Sequence, residues 1–214
     1  MNSKNNFLAC VMAIFLTASF GSTVNAALDL DSCWVKFPTS GIYLCSVPDG
    51  SGTTLDDEGG VIKVWLQDSS WNGIADFPKE NIALFTSKDG YGCFDGEIMY
   101  ADSDTDSSGY TTFSGAWFAG GEFEINSVFV RIKLGQLWYT LTEVIAGGDS
   151  QGRCYWFHSK SPDLDGSNSV NLTDTQLFVA DFQTNNLRSD LNWDGQVNLS
   201  DLPILSAAIG ASCP

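Results

Sequence analysis

Two stretches near the end of the chain repeat one pattern: residues 163–174 read DLDGSNSVNLTD, and residues 190–201 read DLNWDGQVNLSD. They align without gaps at an offset of 27 residues, and six of the twelve positions are identical. A fixed internal period marks a duplicated supersecondary unit. The two stretches, named loop 1 and loop 2, therefore predict that residues 161–214 fold as two copies of one small unit.

Each loop carries oxygen-bearing residues at the spacing with which a twelve-residue loop surrounds calcium, a hard cation that takes about six to eight oxygens. In loop 1 the predicted ligands are Asp163, Asp165, Ser167, the carbonyl of Ser169, Asn171 (directly or through a water) and Asp174. In loop 2 the same roles fall to Asp190, Asn192, Asp194, the carbonyl of Gln196, Asn198 and Asp201. Each loop offers three carboxylates to one ion, so the sequence predicts two bound calcium ions.

Two further loop positions carry structural expectations. The sixth position must turn with positive φ, which Gly195 adopts freely and Asn168 tolerates better than most residues. The eighth position is Val170 in loop 1 and Val197 in loop 2. We expect these two valines to join the loops through a short β contact.

Each loop runs into a predicted helix with a repeated apolar face. The repeated positions are Leu177, Phe178 and Phe182 in the first copy and Ile204, Leu205 and Ile209 in the second. Pro203 suits the first turn of the second helix, and Gly210 suits its end. Ser161-Pro162 and Ser189 stand where an EF-hand would have a preceding helix, so the repeated unit is a loop followed by a helix.

This arrangement resembles dockerin modules of secreted bacterial proteins. Residues 161–213 carry the resemblance, and loop 2 matches the motif D-x-N-x-D-G-x-V-N-x-x-D. The resemblance implies a module folded by two calcium ions that binds a cohesin-type domain and attaches its carrier, often a polysaccharide-degrading enzyme, to a scaffold or cell surface. It also implies that loop positions ten and eleven contribute to partner choice. Here they are Leu172-Thr173 and Leu199-Ser200, not the Ser-Thr pairs of the best-known cellulosomal type.

Residues 27–160 predict a β-sandwich, because short apolar runs alternate with turn clusters. The predicted strands are 34–37, 42–47, 61–67, 82–87, 97–101, 110–118, 123–134 and 137–144. Residues 62–67 with 82–85, and residues 104–113 with their TD-x-x-G-x-T-x-F-like turn, resemble bacterial immunoglobulin-like domains. The resemblance implies an immunoglobulin-like sandwich followed by the dockerin-like module.

The first 26 residues have the features of a signal peptide. Lys4 precedes the mostly apolar residues 7–20, and Val24-Asn25-Ala26 ends in the small-x-small pattern of a cleavage site. Cleavage is predicted after Ala26. No later segment approaches about 18 apolar residues, so no membrane span is expected. The sequence predicts an exported bacterial protein that acts outside the cell or at its surface.

The charge balance disfavours some partners. The chain has 10 Lys and Arg against 26 Asp and Glu, a net charge of −16. Removing the signal segment, with its one Lys and no acid, gives 9 − 26 = −17. Such a surface disfavours nucleic acid and anionic membranes as partners. With 43% hydrophobic and 17% charged residues, the composition excludes a disordered chain.

Five cysteines remain after the signal peptide is removed, at positions 33, 45, 93, 154 and 213. Cys33 and Cys45 lie on either side of a predicted turn at 38–41, so a hairpin there would bring them opposite each other. Cys93 with Cys154 and Cys154 with Cys213 are the competing pairs. Buried thiols without any bridge are the remaining alternative.

The sequence favours a non-catalytic protein. His158 is the only histidine, and no nucleophile-elbow, zinc-protease or phosphate-loop motif is present. A glycosidase needs two facing carboxylates, and the available acids are Glu80, Glu97, Glu122, Glu124 and Glu143. His158 is expected to be an ordinary strand-end residue. Enzymatic function is therefore the less favoured hypothesis.

Two other features leave alternatives open. Aromatic rings of the sandwich offer sugar-binding surfaces, and the candidates are Trp65, Trp71, Trp117, Trp138 and Trp156. The acidic run Asp102-x-Asp104-x-Asp106 offers oxygen ligands to calcium but is more typical of a solvated turn. The favoured function is calcium-dependent docking to a cohesin-like or other scaffold protein. The alternative is an accessory carbohydrate-binding or polysaccharide-degrading component carried by the same module.

Overall fold

The structure is a computed structural model, and it describes residues 27–86, 92–94, 97–121, 128–141, 144–146, 157–184 and 186–214. Its strands are β1 (Trp34–Lys36), β2 (Ile42–Cys45), β3 (Ile62–Trp65), β4 (Ile82–Thr86), β5 (Glu97–Tyr100), β6 (Tyr110–Phe113), β7 (Val128–Leu134), β8 (Leu137–Thr140), β9 (Val144–Ala146) and β10 (Phe157–Lys160). The helices are α1 (Leu172–Asp181) and α2 (Leu202–Ala208), with 3-10 turns at Lys79–Asn81 and Leu187–Ser189. The predicted signal peptide lies outside the described residues.

The strands form two four-stranded sheets and one separate pair. The first sheet has the order β6-β3-β1-β9 and the second has the order β5-β4-β7-β8. Neighbouring strands in them are antiparallel, except that β9 lies parallel to β1. Strands β2 and β10 pair in parallel outside both sheets. The first part of the chain is therefore a mainly β structure built of antiparallel sheets, as the sequence predicts.

Strand β3 shows why the alternating runs become strands. Ile62, Val64 and Leu66 are fully buried, whereas Lys63 between them is exposed. Successive side chains of a strand point to opposite faces of the sheet, so one face enters the core and the other meets solvent. The same period-2 pattern was the reason for predicting this strand, and the prediction is confirmed.

Several predicted strands differ in their limits. Strand β6 ends at Phe113, because Ser114 and Gly115 use their carbonyls to bind the amides of Asp56 and Leu55. The predicted run 137–144 covers β8 and only the first residue of β9, and the two strands belong to different sheets. Strand β10 was not predicted, since its residues follow no alternating run.

The expected Cys33–Cys45 disulfide is absent, and both thiols are free and buried. The expected hairpin does not form, because β1 pairs with β3 and β9 whereas β2 pairs with β10. Burial raises the pKa of Cys33 to about 11 and that of Cys45 to about 12, so both thiols stay protonated near neutral pH. The disulfide in the described structure joins Cys93 to Cys213, and Cys154 lies outside the described residues.

A second apolar cluster connects the last part of the chain to the β structure. Cys45 and Val47, at the end of β2, pack with residues from both loops and both helices. The other buried members are Leu164, Val170, Phe178, Leu191, Val197, Leu205 and Ala208. The segment after Lys160 therefore shares a core with β2 and is also tied back by the Cys93–Cys213 bridge. Within the described ranges, neither helix is long and apolar enough to cross a membrane.

Candidate metal centre

Loop 1 is organised by its first and last carboxylates. Asp163 Oδ1 accepts from the Ser167 amide at 3.0 Å, and Asp163 Oδ2 accepts from the Asn168 amide at 2.8 Å. Asp174 Oδ1 accepts from the Asp165 amide at 3.2 Å, and Asp174 Oδ2 accepts from the Asn171 amide at 2.8 Å. Both carboxylates are fully buried. Two aspartates thus fold twelve residues into a closed ring.

Loop 2 repeats these hydrogen bonds position by position. Asp190 accepts from the amides of Asp194 at 3.0 Å and Gly195 at 3.1 Å, the fifth and sixth residues of the loop. Asp201 accepts from the amides of Asn192 at 3.2 Å and Asn198 at 2.9 Å, the third and ninth residues. The duplication seen in the sequence is therefore a duplication of backbone structure.

The predicted turn at the sixth position is confirmed, with φ of 65° at Asn168 and 85° at Gly195. A second turn, which was not predicted, lies at position four, where Gly166 has φ of 68° and Trp193 has φ of 60°. Positive φ costs Gly166 little, but it is unfavourable for a bulky residue such as Trp193. Tertiary contacts must therefore hold Trp193 in place.

The predicted ligands of loop 1 converge. One carboxylate oxygen from each of Asp163, Asp165 and Asp174 lies within 4.8 Å of the other two. The Ser167 hydroxyl lies 3.4 Å from Asp163 Oδ1 and 3.2 Å from the Ser169 carbonyl oxygen. The side chains at positions one, three, five and twelve and the carbonyl at position seven thus surround one small volume. This donor set, rich in carboxylate and carbonyl oxygen, fits a hard cation such as calcium.

Loop 2 brings its acids together less closely. Of the acidic, histidine and cysteine side chains that the structure describes, only the loop 1 aspartates bring three ligand atoms within 4.8 Å. At the solvent side of loop 2, Asn192 Nδ2 donates to Asp194 Oδ2 at 3.1 Å and to Ser200 Oγ at 2.7 Å. At the buried side, Lys160 Nζ lies 3.4 Å from Asp190 Oδ2. The two loops share a skeleton but not an electrostatic environment.

Burial and hydrogen bonding shift the pKa values of the loop carboxyl groups in opposite directions. Burial raises the pKa of Asp163 to about 6, because the charged carboxylate loses its hydration. Hydrogen bonding by the Ser167 side chain holds the pKa of Asp165 below its usual value. The Asn192 side chain does the same for Asp194. A dication among the loop 1 carboxylates would favour the ionised form of Asp163.

The ninth position of loop 1 also starts a helix. Asn171 Oδ1 accepts from the Thr173 amide at 2.8 Å, and with Asp174 it forms a capping box at the start of α1. Asn198 Oδ1 accepts from the Ser200 amide at 2.8 Å in the second copy, but there α2 begins only at Leu202, after an Asp201 N-cap without a side-chain cap bond. A cap like that of Asn171 satisfies amides that the first helical turn leaves unpaired. In loop 1, ring closure and helix initiation thus use the same residues.

The expected β contact between Val170 and Val197 is not formed within the described structure. Each valine instead pairs through its backbone with the segment after the other copy's helix. The Val170 amide donates to Ala211 O at 2.8 Å, and Val197 O accepts from the Gln183 amide at 3.0 Å. Both valine side chains are buried in the shared apolar cluster. The two copies are therefore joined crosswise.

The predicted apolar faces are correct for most positions. Phe178 and Leu205 are buried, and Leu177, Phe182 and Ile204 pack against the same cluster. Ile209 is an exception, because 55% of its side chain is exposed. Helix α2 ends at Ala208, and Gly210 turns the chain at φ of 92°, so Ile209 no longer follows the helical period.

Each loop contacts the β structure differently. Loop 1 lies against Gly120 and Gly121: the Gly121 amide donates to Asp163 O at 2.8 Å, and a Cβ on Gly120 would overlap the Asp163 carboxylate. Loop 2 is held by Trp193, whose Nε1 donates to Leu44 O at 3.2 Å. Neither contact is predicted from the sequence. The adjacent glycines were the one local signal available.

The acidic run from Asp102 to Asp106 forms hydrogen bonds with nearby residues. Asp104 accepts from the Lys79 amide, Asp106 accepts from Ser108 and Tyr110 amides, and Asp102 accepts from Thr112 Oγ1. These bonds are typical of the acidic turn rather than of a cation site.

His158 lies within β10 and stacks on Tyr43 with ring centroids 4.9 Å apart, so it is not at a strand end. Glu80 is exposed in a 3-10 turn. Glu122, Glu124 and Glu143 lie outside the described residues, and the structure does not describe the side chain of Glu97. Of the five candidate acids, Glu80 is thus the one whose side chain the structure describes.

Comparison with known proteins found no protein-family model, no curated protein and no solved structure that matches this chain.

Proposed function

We propose that this chain is an exported, non-catalytic bacterial protein that binds two calcium ions through loops 1 and 2. The observation that carries the proposal is the convergence of Asp163, Asp165 and Asp174 within 4.8 Å, on a hydrogen-bonded skeleton that loop 2 repeats. Buried carboxylates without a counter-ion are costly, and a bound dication would offset that cost. Calcium binding would therefore stabilise the fold of residues 161–214.

We further propose that residues 161–214 act as a dockerin-like module for a cohesin-type partner on a scaffold or cell surface. Two equivalent leucines support this proposal. Leu172 and Leu199 occupy position ten of the loops, and 71% and 69% of their side chains are exposed. Exposed apolar side chains in corresponding places of a duplicated unit are suited to contact with another protein. The β-rich part, proposed to be immunoglobulin-like, is then the domain that is displayed.

Calcium titration of residues 27–214, after removal of metal by a chelator, tests the first proposal. The whole mature chain is needed because the last segment shares a core with Cys45 and Val47. We expect two calcium ions per chain. Asp165→Ala and Asp194→Ala, at exposed positions of the two loops, each remove an oxygen ligand and should each remove one ion, whereas the exposed Asp56→Ala should remove none. No heat of binding and no shift in melting temperature with calcium would refute the proposal.

The docking proposal has its own test. A purified cohesin-type domain from the same genome is titrated with the chain in calcium and then in chelator. We expect calcium-dependent binding that Leu172→Asp together with Leu199→Asp weakens at least about tenfold, the effect of losing two buried apolar contacts. Leu137→Asp, at the exposed start of β8, is the matched control. Equal binding by the double variant would show that these leucines do not form the docking surface.

Sugar binding is a second candidate function, and one observation favours it. Trp34, Trp65 and Tyr110 form a row across β1, β3 and β6 on the half-buried outer face of the first sheet. The Trp34 and Trp65 rings stack with centroids 3.6 Å apart, and Tyr110 lies 4.8 Å from Trp65. Exposed aromatic rows of this kind suit sugar faces.

Of the other tryptophans named above, Trp71 is 60% exposed and Trp138 is half-buried, whereas Trp117 belongs to the core. Trp156 lies outside the described residues. A panel of soluble glycans with tryptophan fluorescence as readout tests the candidate. Binding lost in Trp65→Ala and kept in Trp138→Ala would support this face. No fluorescence change with any glycan and no binding to insoluble polysaccharide would exclude it.

A further inference from the structure

In loop 2 a lysine ammonium lies beside Asp190, the first predicted calcium ligand. Lys160, the last residue of β10, is 2% exposed, and its Nζ lies 3.4 Å from Asp190 Oδ2. The same oxygen accepts from the Gly195 amide at 3.1 Å, and Oδ1 accepts from the Asp194 amide at 3.0 Å. Asp190 is thus a buried carboxylate whose charge the Lys160 ammonium already balances.

The structure also shows what keeps this ammonium in place. Lys160 Nζ lies 4.2 Å from the centre of the Trp193 ring, a cation–π contact with the residue at position four of the same loop. The Lys160 carbonyl accepts from the Ser46 amide at 2.8 Å, which fixes the end of β10 against β2. Contacts within the protein therefore hold both the backbone and the side chain of Lys160 in place.

Among the residues that the structure describes, no lysine or arginine is paired with the acids of loop 1. The corresponding ligand, Asp163, faces the backbone of Gly120, where no side chain fits. In the described part of loop 1's surroundings, a calcium ion would thus meet three acids and no positive charge. In loop 2 it would meet a resident ammonium on its first ligand, and like charges at such short range repel strongly even at the effective dielectric of a protein.

We propose that Lys160 competes with calcium for Asp190, so that the two loops are unequal sites and loop 2 fills only when the Lys160 ammonium is displaced. This inference rests on the proposed calcium binding and adds the residue that sets the affinity of the second site. Displacement would also release the contact with Trp193, so occupancy of loop 2 is coupled to the junction between the loop and strands β2 and β10.

Each loop is measured by itself. Calcium titrations use residues 27–214 with Asp165→Ala, which leaves loop 2, or with Asp194→Ala, which leaves loop 1. Adding Lys160→Met to the first protein should lower the dissociation constant of loop 2 at least about tenfold. Adding it to the second should change loop 1 by less than about twofold.

Two controls separate the charge from the side chain. Lys133→Met removes a lysine that lies 5.6 Å over the Trp138 ring in the second sheet, and it should change neither site. Lys160→Arg retains the positive charge and should leave loop 2 weak. Equal affinity of loop 2 with and without Lys160 would overturn the inference while leaving calcium binding intact. Absence of calcium binding in every protein would instead refute the proposed function.

A measurement on the unaltered chain keeps the inference testable if Lys160→Met does not fold. Lysine acylation followed by mass spectrometry reports which ammonium groups are accessible. Lys160 should be protected without calcium and labelled several-fold faster when both loops are saturated. The exposed Lys36 and Lys63 should be labelled equally in both states. Continued protection of Lys160 in a chain that holds two calcium ions would overturn the displacement.

Discussion

Loop 1 and loop 2 have the same skeleton and different surroundings. In both, the first and twelfth carboxylates are buried and bind the same backbone amides. Loop 1 lies against the bare backbone of Gly120 and Gly121, whereas loop 2 meets Lys160 and Trp193. A local sequence motif is thus sufficient to shape a loop, but its affinity for a cation depends on what the rest of the fold places beside it.

The largest expected effect concerns the end of the chain, which pairs with loop 1. Cys213 follows Ser212, and the Cys213 amide donates to Asn168 O in loop 1. Removing the bridge with Cys93→Ser or Cys213→Ser frees a closed segment of 120 residues and should lower the free energy of unfolding by about 4 kcal/mol.

Urea unfolding of the two single variants and the double variant measures this cost. All three should give the same loss, because each removes the same bond. A loss from the double variant that equals the sum of the two single losses would contradict this account of the bridge.

A smaller effect is expected where loop 1 touches the β structure. Gly120→Ala places a Cβ on the Asp163 carboxylate. The variant should lose about 3 kcal/mol of stability, because residue 120 and Asp163 are both buried and neither can move away easily. Calcium binding by loop 1 should weaken while loop 2 is unchanged. Gly115→Ala is the control, because its Cβ would meet Met99 at an ordinary 3.5 Å. Thermal unfolding and calcium titration check both expectations, and a harmless Gly120→Ala would disprove the close approach.

The corresponding experiment on loop 2 uses Trp193. Trp193→Gly loses the bond to Leu44 O and the packing on Tyr43 but relieves the positive φ, so a net cost of about 2 kcal/mol is expected. Trp193→Ala should cost about 1 kcal/mol more, because alanine keeps the unfavourable backbone. Gly166→Ala tests the same position in loop 1 and should cost about 1 kcal/mol. Chemical denaturation measures the free energy of unfolding of these variants. A Trp193→Ala variant that is more stable than Trp193→Gly would contradict the assigned turn.

A pH dependence of the free energy of unfolding is also expected from loop 1. Burial raises the pKa of Asp163 from 3.8 to about 6, so the calcium-free folded chain binds this proton more tightly than the unfolded chain. The stabilising contribution of the protonated Asp163 to the free energy of unfolding is therefore fully present below about pH 4, and it is lost as the pH rises to about 6. Asp163→Asn should remove this fall in the free energy of unfolding, and Asp56→Asn should keep it. Identical pH profiles for the chain and Asp163→Asn would contradict the shift.

The sequence by itself predicted the features that depend on neighbouring residues. The turns at Asn168 and Gly195, a helix after each loop and the alternation in β3 follow from backbone preferences and side-chain periodicity over a few positions. The mainly β first part was predicted for the same reason. The convergence of Asp163, Asp165 and Asp174 follows because all three belong to one twelve-residue ring.

Only the tertiary structure decided which distant groups meet. Cys33 and Cys45 stay apart because β1 and β2 belong to different pairings, and Cys213 reaches Cys93 across 120 residues. Lys160 lies 30 residues before Asp190, and no pattern in the sequence links the two. Such contacts are set by how the sheets and the two loop-helix units pack around a shared core. Long-range packing therefore decided the difference between two loops that the sequence made nearly alike.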